Sequence, residues 1–243
     1  MKIEVLGSGG AIKTPRPFCK CECCNEAREG ALTASRLGPS VFVHGPNILI
    51  DTPEEISIQL NRSKAPGVNL CLYSHWHPDH TSGKRIFEMN MDLIGLPPNN
   101  TKTSVVLTER IAETFSEFLG LRGHFDFLQA QGLVELKIVP NDDLIHIAGY
   151  TIRPVQMGMD YSFGYEIQGD GKLILIIMDE LKGWLPPKRV LDTLYDVVYM
   201  PLGIINVNPL TKIRNIQENH PILIDEQTVD ETLAHVKKLV PHT

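Results

Sequence analysis

The run Ser74-His75-Trp76-His77-Pro78-Asp79-His80 sets three imidazoles and one carboxylate within six residues. Neutral imidazole and carboxylate suit zinc, manganese or iron(II). Two such ions held about 3.5–4 Å apart form a clamp for hydrolysing phosphate esters or acyl groups. A surface loop that happens to be rich in His and Asp would have the same composition. Four ligand-type residues at alternating and adjacent positions favour metal binding instead.

The apolar run Leu70–Tyr73 reads as a buried strand that delivers this cluster at its end. In extended chain residues i and i+2 point the same way, so His75 and His77 can grip one ion. After Pro78 the chain can turn into a helix, from whose start Asp79 and His80 project toward a second ion. His75-x-His77-x-Asp79-His80 resembles the signature of the metallo-β-lactamase-fold hydrolases.

Cys19, Cys21 and Cys24 form a C-x-C-x-x-C pattern inside residues 19–24. Three thiolates at that spacing suit a closed, structural zinc with a fourth ligand from elsewhere. Small buried hydrophobes or redox thiols would use the same residues. Cys23 reads as a bystander and Cys71 as strand packing. Leu6-Gly7-Ser8-Gly9-Gly10-Ala11 follows the first strand and fits either a ligand-facing turn or an ordinary tight one. It is no dinucleotide fingerprint.

These three motifs in this order resemble the PhnP-type cyclic phosphodiesterases and the PqqB branch linked to quinone-cofactor biosynthesis. The likeness continues through Leu49-Ile50-Asp51, Ser162-Phe163-Gly164-Tyr165 and Ile177-Met178-Asp179. It implies an αββα sandwich with the metal site at one edge, between the two sheets. It implies that Asp51 supports the metal loop by fixing an imidazole's tautomer, that Asp179 bridges two ions, and that the cysteine zinc is structural. It also implies that His220, in Asn219-His220-Pro221, lines the site and protonates a leaving oxygen. Turn Asp residues at strand ends and an exposed loop His are the plain alternatives for these three.

The chain departs from this pattern twice. The family expects a His a few residues before the Phe163-Gly164-Tyr165 strand, and Gly158 stands there. Asp160 is the nearest charged substitute, giving a two-His-plus-carboxylate set. The family also ends on a strand followed by Thr-His, whereas this chain stops at Val240-Pro241-His242-Thr243. The expectation is one domain over residues 1–243 lacking its final strand, which would have brought a ligand to the second metal and one to the cysteine zinc. His242 as a late substitute is the alternative.

The 243 residues carry a net charge of −6, which argues against a broad nucleic-acid or anionic-membrane surface and leaves room for a local basic pocket for one phosphate. Met1-Lys2 leads directly into a short alternating strand, Ile3–Leu6, rather than a secretory signal. With clustered rather than spread cysteines, this predicts a cytoplasmic protein. No run is long enough to span a membrane.

Strand patterns cover Ile3–Leu6, Ser40–His44, Asn47–Ile50, Leu70–Tyr73, Ser104–Leu107, Val134–Val139, Leu144–Ile147, Tyr150–Val155, Gly164–Ile167, Leu173–Met178 and Val197–Met200. Helix patterns cover Glu54–Asn61, Glu109–Leu119, Pro187–Leu194 and Glu226–Val240. Stacked sheets with helices outside follow from that mixture, an α/β fold.

The expected activity is metal-dependent hydrolysis of a small cyclic or nucleotide-like phosphodiester, with Asp79 orienting the attacking water and His220 as acid. The expected cofactors are a structural zinc plus one or two active-site divalent ions, zinc or manganese, with iron a further candidate. A homodimer is left open. A catalytically weakened, PqqB-like binding or accessory protein is the competing reading, because of Gly158.

Overall fold

Parallel strands buried on both faces read as continuous apolar runs, and they need crossover connections. Ile48-Leu49-Ile50 and Leu70-Cys71-Leu72, all buried, are such runs. The computed structural model describes residues 1–30, 35–91, 102–179 and 184–201. Its first sheet runs β1 (Lys2–Gly7), β2 (Ser40–His44), β3 (Ile48–Ile50), β4 (Leu70–Leu72), β5 (Thr103–Thr108) and β6 (Val134–Val139), in that spatial order. β1 to β3 pair antiparallel; β3 to β6 pair parallel.

Helices make the crossovers: α2 (Ile56–Arg62) before β4, and α4 (Glu109–Glu117) with α5 (Leu121–Ala130) before β6. α4 starts where the Thr108 side chain accepts the Ile111 N–H, an N-cap. α5 buries Leu121, Phe125 and Leu128 at helical spacing. Gly123 in its interior weakens the sequence signal, which is why no helix pattern stands out there. Two shorter helices, α1 (Glu22–Arg28) and α3 (Pro78–Thr81), and a 3₁₀ helix over Lys84–Asn90 complete this half.

The second sheet has the order β11-β10-β9-β8-β7, from β7 (Ile145–Ile147), β8 (Tyr150–Gln156), β9 (Phe163–Gly169), β10 (Lys172–Ile176) and β11 (Val197–Tyr199). β10 shows how the layers are specified. Ile174 and Ile176 enter the main core with Val41, Phe42, Leu72 and Val105 of the first sheet. Leu175 and Ile177 point the other way, onto Trp184 and onto Val190 of α6 (Lys188–Leu191). Period-two alternation thus buries both faces and yields helix, sheet, sheet, helix. This is the α/β, αββα sandwich that the sequence predicts.

All eleven strand patterns correspond to strands of the described residues. The helix expected over 226–240 lies outside them. No helix among the described residues is long and apolar enough to cross a membrane.

The sheets are tied where the candidate metal loop begins. The Tyr165 hydroxyl donates to the Tyr73 carbonyl at 2.5 Å, and the Phe163 N–H donates to Ser74 O at 2.9 Å. The loop's far end is locked by Gly83, whose N–H reaches Thr52 O at 2.8 Å. A methyl group on Gly83 would stand 2.0 Å from Pro53 O and 2.6 Å from Ile56 Cγ2. Gly83→Ala is therefore expected to destabilise the fold by about 1–3 kcal/mol in urea unfolding, because backbone must move to admit it.

Candidate metal centre

Strand register brings the first pieces together. β3 and β4 pair parallel with Ile50 opposite Leu72, so Asp51 and Ser74 emerge side by side. Asp51 adopts a left-handed backbone, φ 62°, which turns its carboxylate under the next loop. That conformation is unfavourable for an L-residue but commonest for Asn and Asp.

The fully buried Asp51 carboxylate is completely engaged. Oδ1 accepts the Ser74 N–H at 2.7 Å. Oδ2 accepts the Ser74 hydroxyl at 2.6 Å and lies 2.7 Å from His80 Nδ1. A carboxylate only accepts, so His80 Nδ1 carries a proton and turns Nε2 the other way. Ser74 commits its one proton to Asp51, and its oxygen, 3.0 Å from His75 Nδ1, accepts from that ring. His75 Nε2 is therefore the bare nitrogen. Both imidazoles are locked by one hub.

His77 caps α3 and Pro78 follows at its first position, where a missing N–H costs nothing. The short helix swings His80 back toward His75, their ring centroids 4.1 Å apart. From the second sheet, the chain leaving β10 delivers Asp179, whose Oδ2 is 3.1 Å from His75 Nε2. His75, His80 and Asp179 each offer a ligand atom within 4.8 Å of the others. His77 stands edge-on to His75 at 4.4 Å, and Asp79 Oδ2 lies 3.3 Å from His80 Nε2. The helical turn thus sets His80, as well as His77, beside His75.

His75 Nε2 is buried without a hydrogen-bond partner. A bare nitrogen facing the Asp179 carboxylate, acceptor against acceptor, is unfavourable alone and fits a cation ligand. The electrostatics agree. Burial alone would depress His80, but the Asp51 charge and hydrogen bond, joined by Asp79, override it and raise it to about 10. The same carboxylates would favour a metal cation in place of that proton. Burial also pulls Asp79 upward, but hydrogen bonding and charge from His80, with the His75 charge, hold it below the usual carboxylate range. His77 is lowered by burial first and by the His75 charge next.

Asp160 does not join the cluster. Its carboxylate pairs with Arg110 of α4 at 2.9 Å and is well exposed, so it is no substitute ligand here. An ion pair across the surface holds it where the sequence, seeing only nearness to Gly158, placed it inward. Tyr161 instead puts its ring beside the site, with centroids 5.9 Å from His77 and 6.4 Å from His75. Trp76 stacks on Phe118 at 4.3 Å, the packing wedge that its position between two ligands suggests. His220 and His242 lie outside the described residues.

Cys19, Cys21 and Cys24 converge as a second group, their sulfurs within 4.8 Å of one another. Cys21 caps α1, and the Arg28 guanidinium ties the loop through the carbonyls of Arg16 and Cys19. Cys23 is exposed outside the group, and Cys71 is fully buried in β4.

Solved structures share this architecture. A diphosphatase from the PhnP family matches with a TM-score of 0.69 at 22% identity, over 98% of this chain and 82% of that one. Zn²⁺-bound PqqB from Methylobacterium extorquens matches with 0.63 at 17%, over 85% and 74%. The short form of human tRNase Z matches with 0.58 at 14%, over 97% and 88%. No family model matches the chain, and no curated protein matches it by sequence. The chain has the metallo-β-lactamase fold that these structures share.

Removing one carboxylate oxygen from the hub should loosen both imidazoles at once. Asp51→Asn is expected to weaken zinc binding about 10–100-fold in chelator competition. Ser74→Ala should weaken it through His75 and spare the Asp51–His80 contact. Equal zinc affinity in wild type and Asp51→Asn would show that the hub does not orient the ligands.

Proposed function

We propose that this chain is a metal-dependent hydrolase of small phosphodiesters, of PhnP-like character. One observation carries the reading: the buried, unpartnered Nε2 of His75 faces Asp179 and His80 at the junction of the two sheets. His75, His80 and Asp179 would hold a divalent cation, zinc or manganese by donor type, with His77 and Asp79 beside them. Such a cation supplies Lewis acidity, lowering the pKa of water and polarising a phosphoryl oxygen.

The chain's own groups supply the rest. Asp51 and Ser74 hold both rings in the ligand tautomer. Asp79 is held ionised at neutral pH, which suits it to accept a hydrogen bond from the attacking water and orient it. His220 is the sequence's candidate for the acid that protonates the leaving oxygen. The net charge of −6 supports a small substrate over extended nucleic acid. The cysteine group supports a structural zinc, since three thiolates plus one more ligand leave no position for substrate.

A weakened, PqqB-like binding role draws support from Gly158 at the expected third-His position and from Asp160 being engaged by Arg110. Metal analysis and turnover of bis(p-nitrophenyl) phosphate, with and without added manganese, separate the two. The hydrolase reading expects about one ion or more per chain beyond the cysteine zinc, and metal-dependent turnover that falls at least about 100-fold in His75→Ala. No turnover in wild type, at any metal loading, would overturn it. Cys21→Ser should remove about one zinc per chain and lower the thermal midpoint, as loss of a structural site does.

A further inference from the structure

Among the described residues the first sheet ends on β6, Val134-Glu135-Leu136-Lys137-Ile138-Val139. The backbone of this strand alternates between its neighbour and the open edge. The Leu133 carbonyl accepts the Thr103 N–H from the β5 side at 3.4 Å, whereas the Leu136 N–H turns outward and donates to the Gln129 side chain at 2.9 Å. Successive residues face opposite ways, so Val134, Leu136 and Ile138 present their N–H and C=O groups at the edge. Glu135 and Lys137 are exposed on one face of the strand, their charges 2.9 Å apart, and Ile138 is exposed on the other.

Such an edge is a template for another strand, and charges on it ordinarily discourage pairing. Here their spacing makes the strand complementary to itself. An antiparallel second copy must set outward-facing residues opposite outward-facing residues, which confines the two-fold axis to a residue of the strand. With the axis at Leu136, Val134 faces the partner's Ile138 and Glu135 faces the partner's Lys137. That charged pair falls at a non-hydrogen-bonded position, where opposed side chains come closest. Moving the axis to Glu135 or to Lys137 sets like charges against each other, which is destabilising. Arg122, Asp126 and Gln129 share one side of α5 at helical spacing, so the helix side that reaches this edge also offers charge of both signs. We propose that β6 is an interface between two copies of this chain, paired antiparallel about Leu136, with Gln129 as the latch that closes the edge in the monomer. One short strand a side falls well below the ~20–30 residues of a standard interface, so the dimer is weak, with Kd on the order of 10–100 μM.

Sedimentation equilibrium of the full chain, from about 1 to about 500 μM, should show a monomer–dimer equilibrium. Its Kd should rise at least about ten-fold in Glu135→Lys and in Lys137→Glu, since each sets like charges across the axis. Both side chains are exposed, so these variants leave the fold intact. The double variant Glu135→Lys/Lys137→Glu exchanges the signs and should return Kd to within about three-fold of wild type. An equimolar mixture of the two single variants should form a heterodimer at least about ten-fold tighter than either homodimer. Gln129→Ala frees the Leu136 N–H and should tighten the wild-type dimer about three-fold or more. A chain that stays monomeric up to about 500 μM, a dimer indifferent to both charge reversals, or a mixture that associates no better than its components would each overturn the proposal.

Discussion

A single buried carboxylate organises the site. Asp51 is fully inaccessible to solvent, and an ion there is tolerable only when both its oxygens are hydrogen-bonded. The Ser74 N–H, the Ser74 hydroxyl and the His80 ring supply those partners. Their placement turns one residue's need for compensation into the orientation of two ligands. It also leaves positive charge in demand on the far side of His80, where Asp79 stands.

The hub works because it sits where the two sheets meet. Parallel pairing of β3 and β4 sets Asp51 beside Ser74. The Tyr165 and Phe163 hydrogen bonds hold β9 against the same segment. β10 pairs with β9 and ends at Ile176, so the chain reaches Asp179 within one short step of the strand end. A shift of one residue in β10 would exchange its two faces and carry Asp179 away from His75. The meeting of these donors is therefore a consequence of sheet registry more than of the loop that displays the motif.

Much of this was legible along the chain. Strands carry their own signal in apolar runs and alternation, and the two buried faces of β10 are written in Leu173–Met178. The motif's ligand types announced a metal site, and Asp51 and Asp179 stood out as carboxylates at the ends of apolar strands. Less visible were α5, masked by its internal glycine, and the fate of Asp160, which depends on Arg110 fifty residues earlier in sequence. Ser74 preceded the motif without a marked role. Only its distance to Asp51, from a different strand, gives it one.

The sequence by itself determined the layers, the donor chemistry and the two candidate metal groups, because periodicity and residue type are local properties. The tertiary structure decided which donors meet. It brought His75, His80 and Asp179 together, turned Asp160 outward, and opened a small carboxylate-rich cleft at Asp79. Those outcomes depend on distances between residues remote in sequence, set by strand pairing and by the compensation of buried charge, which no local pattern encodes.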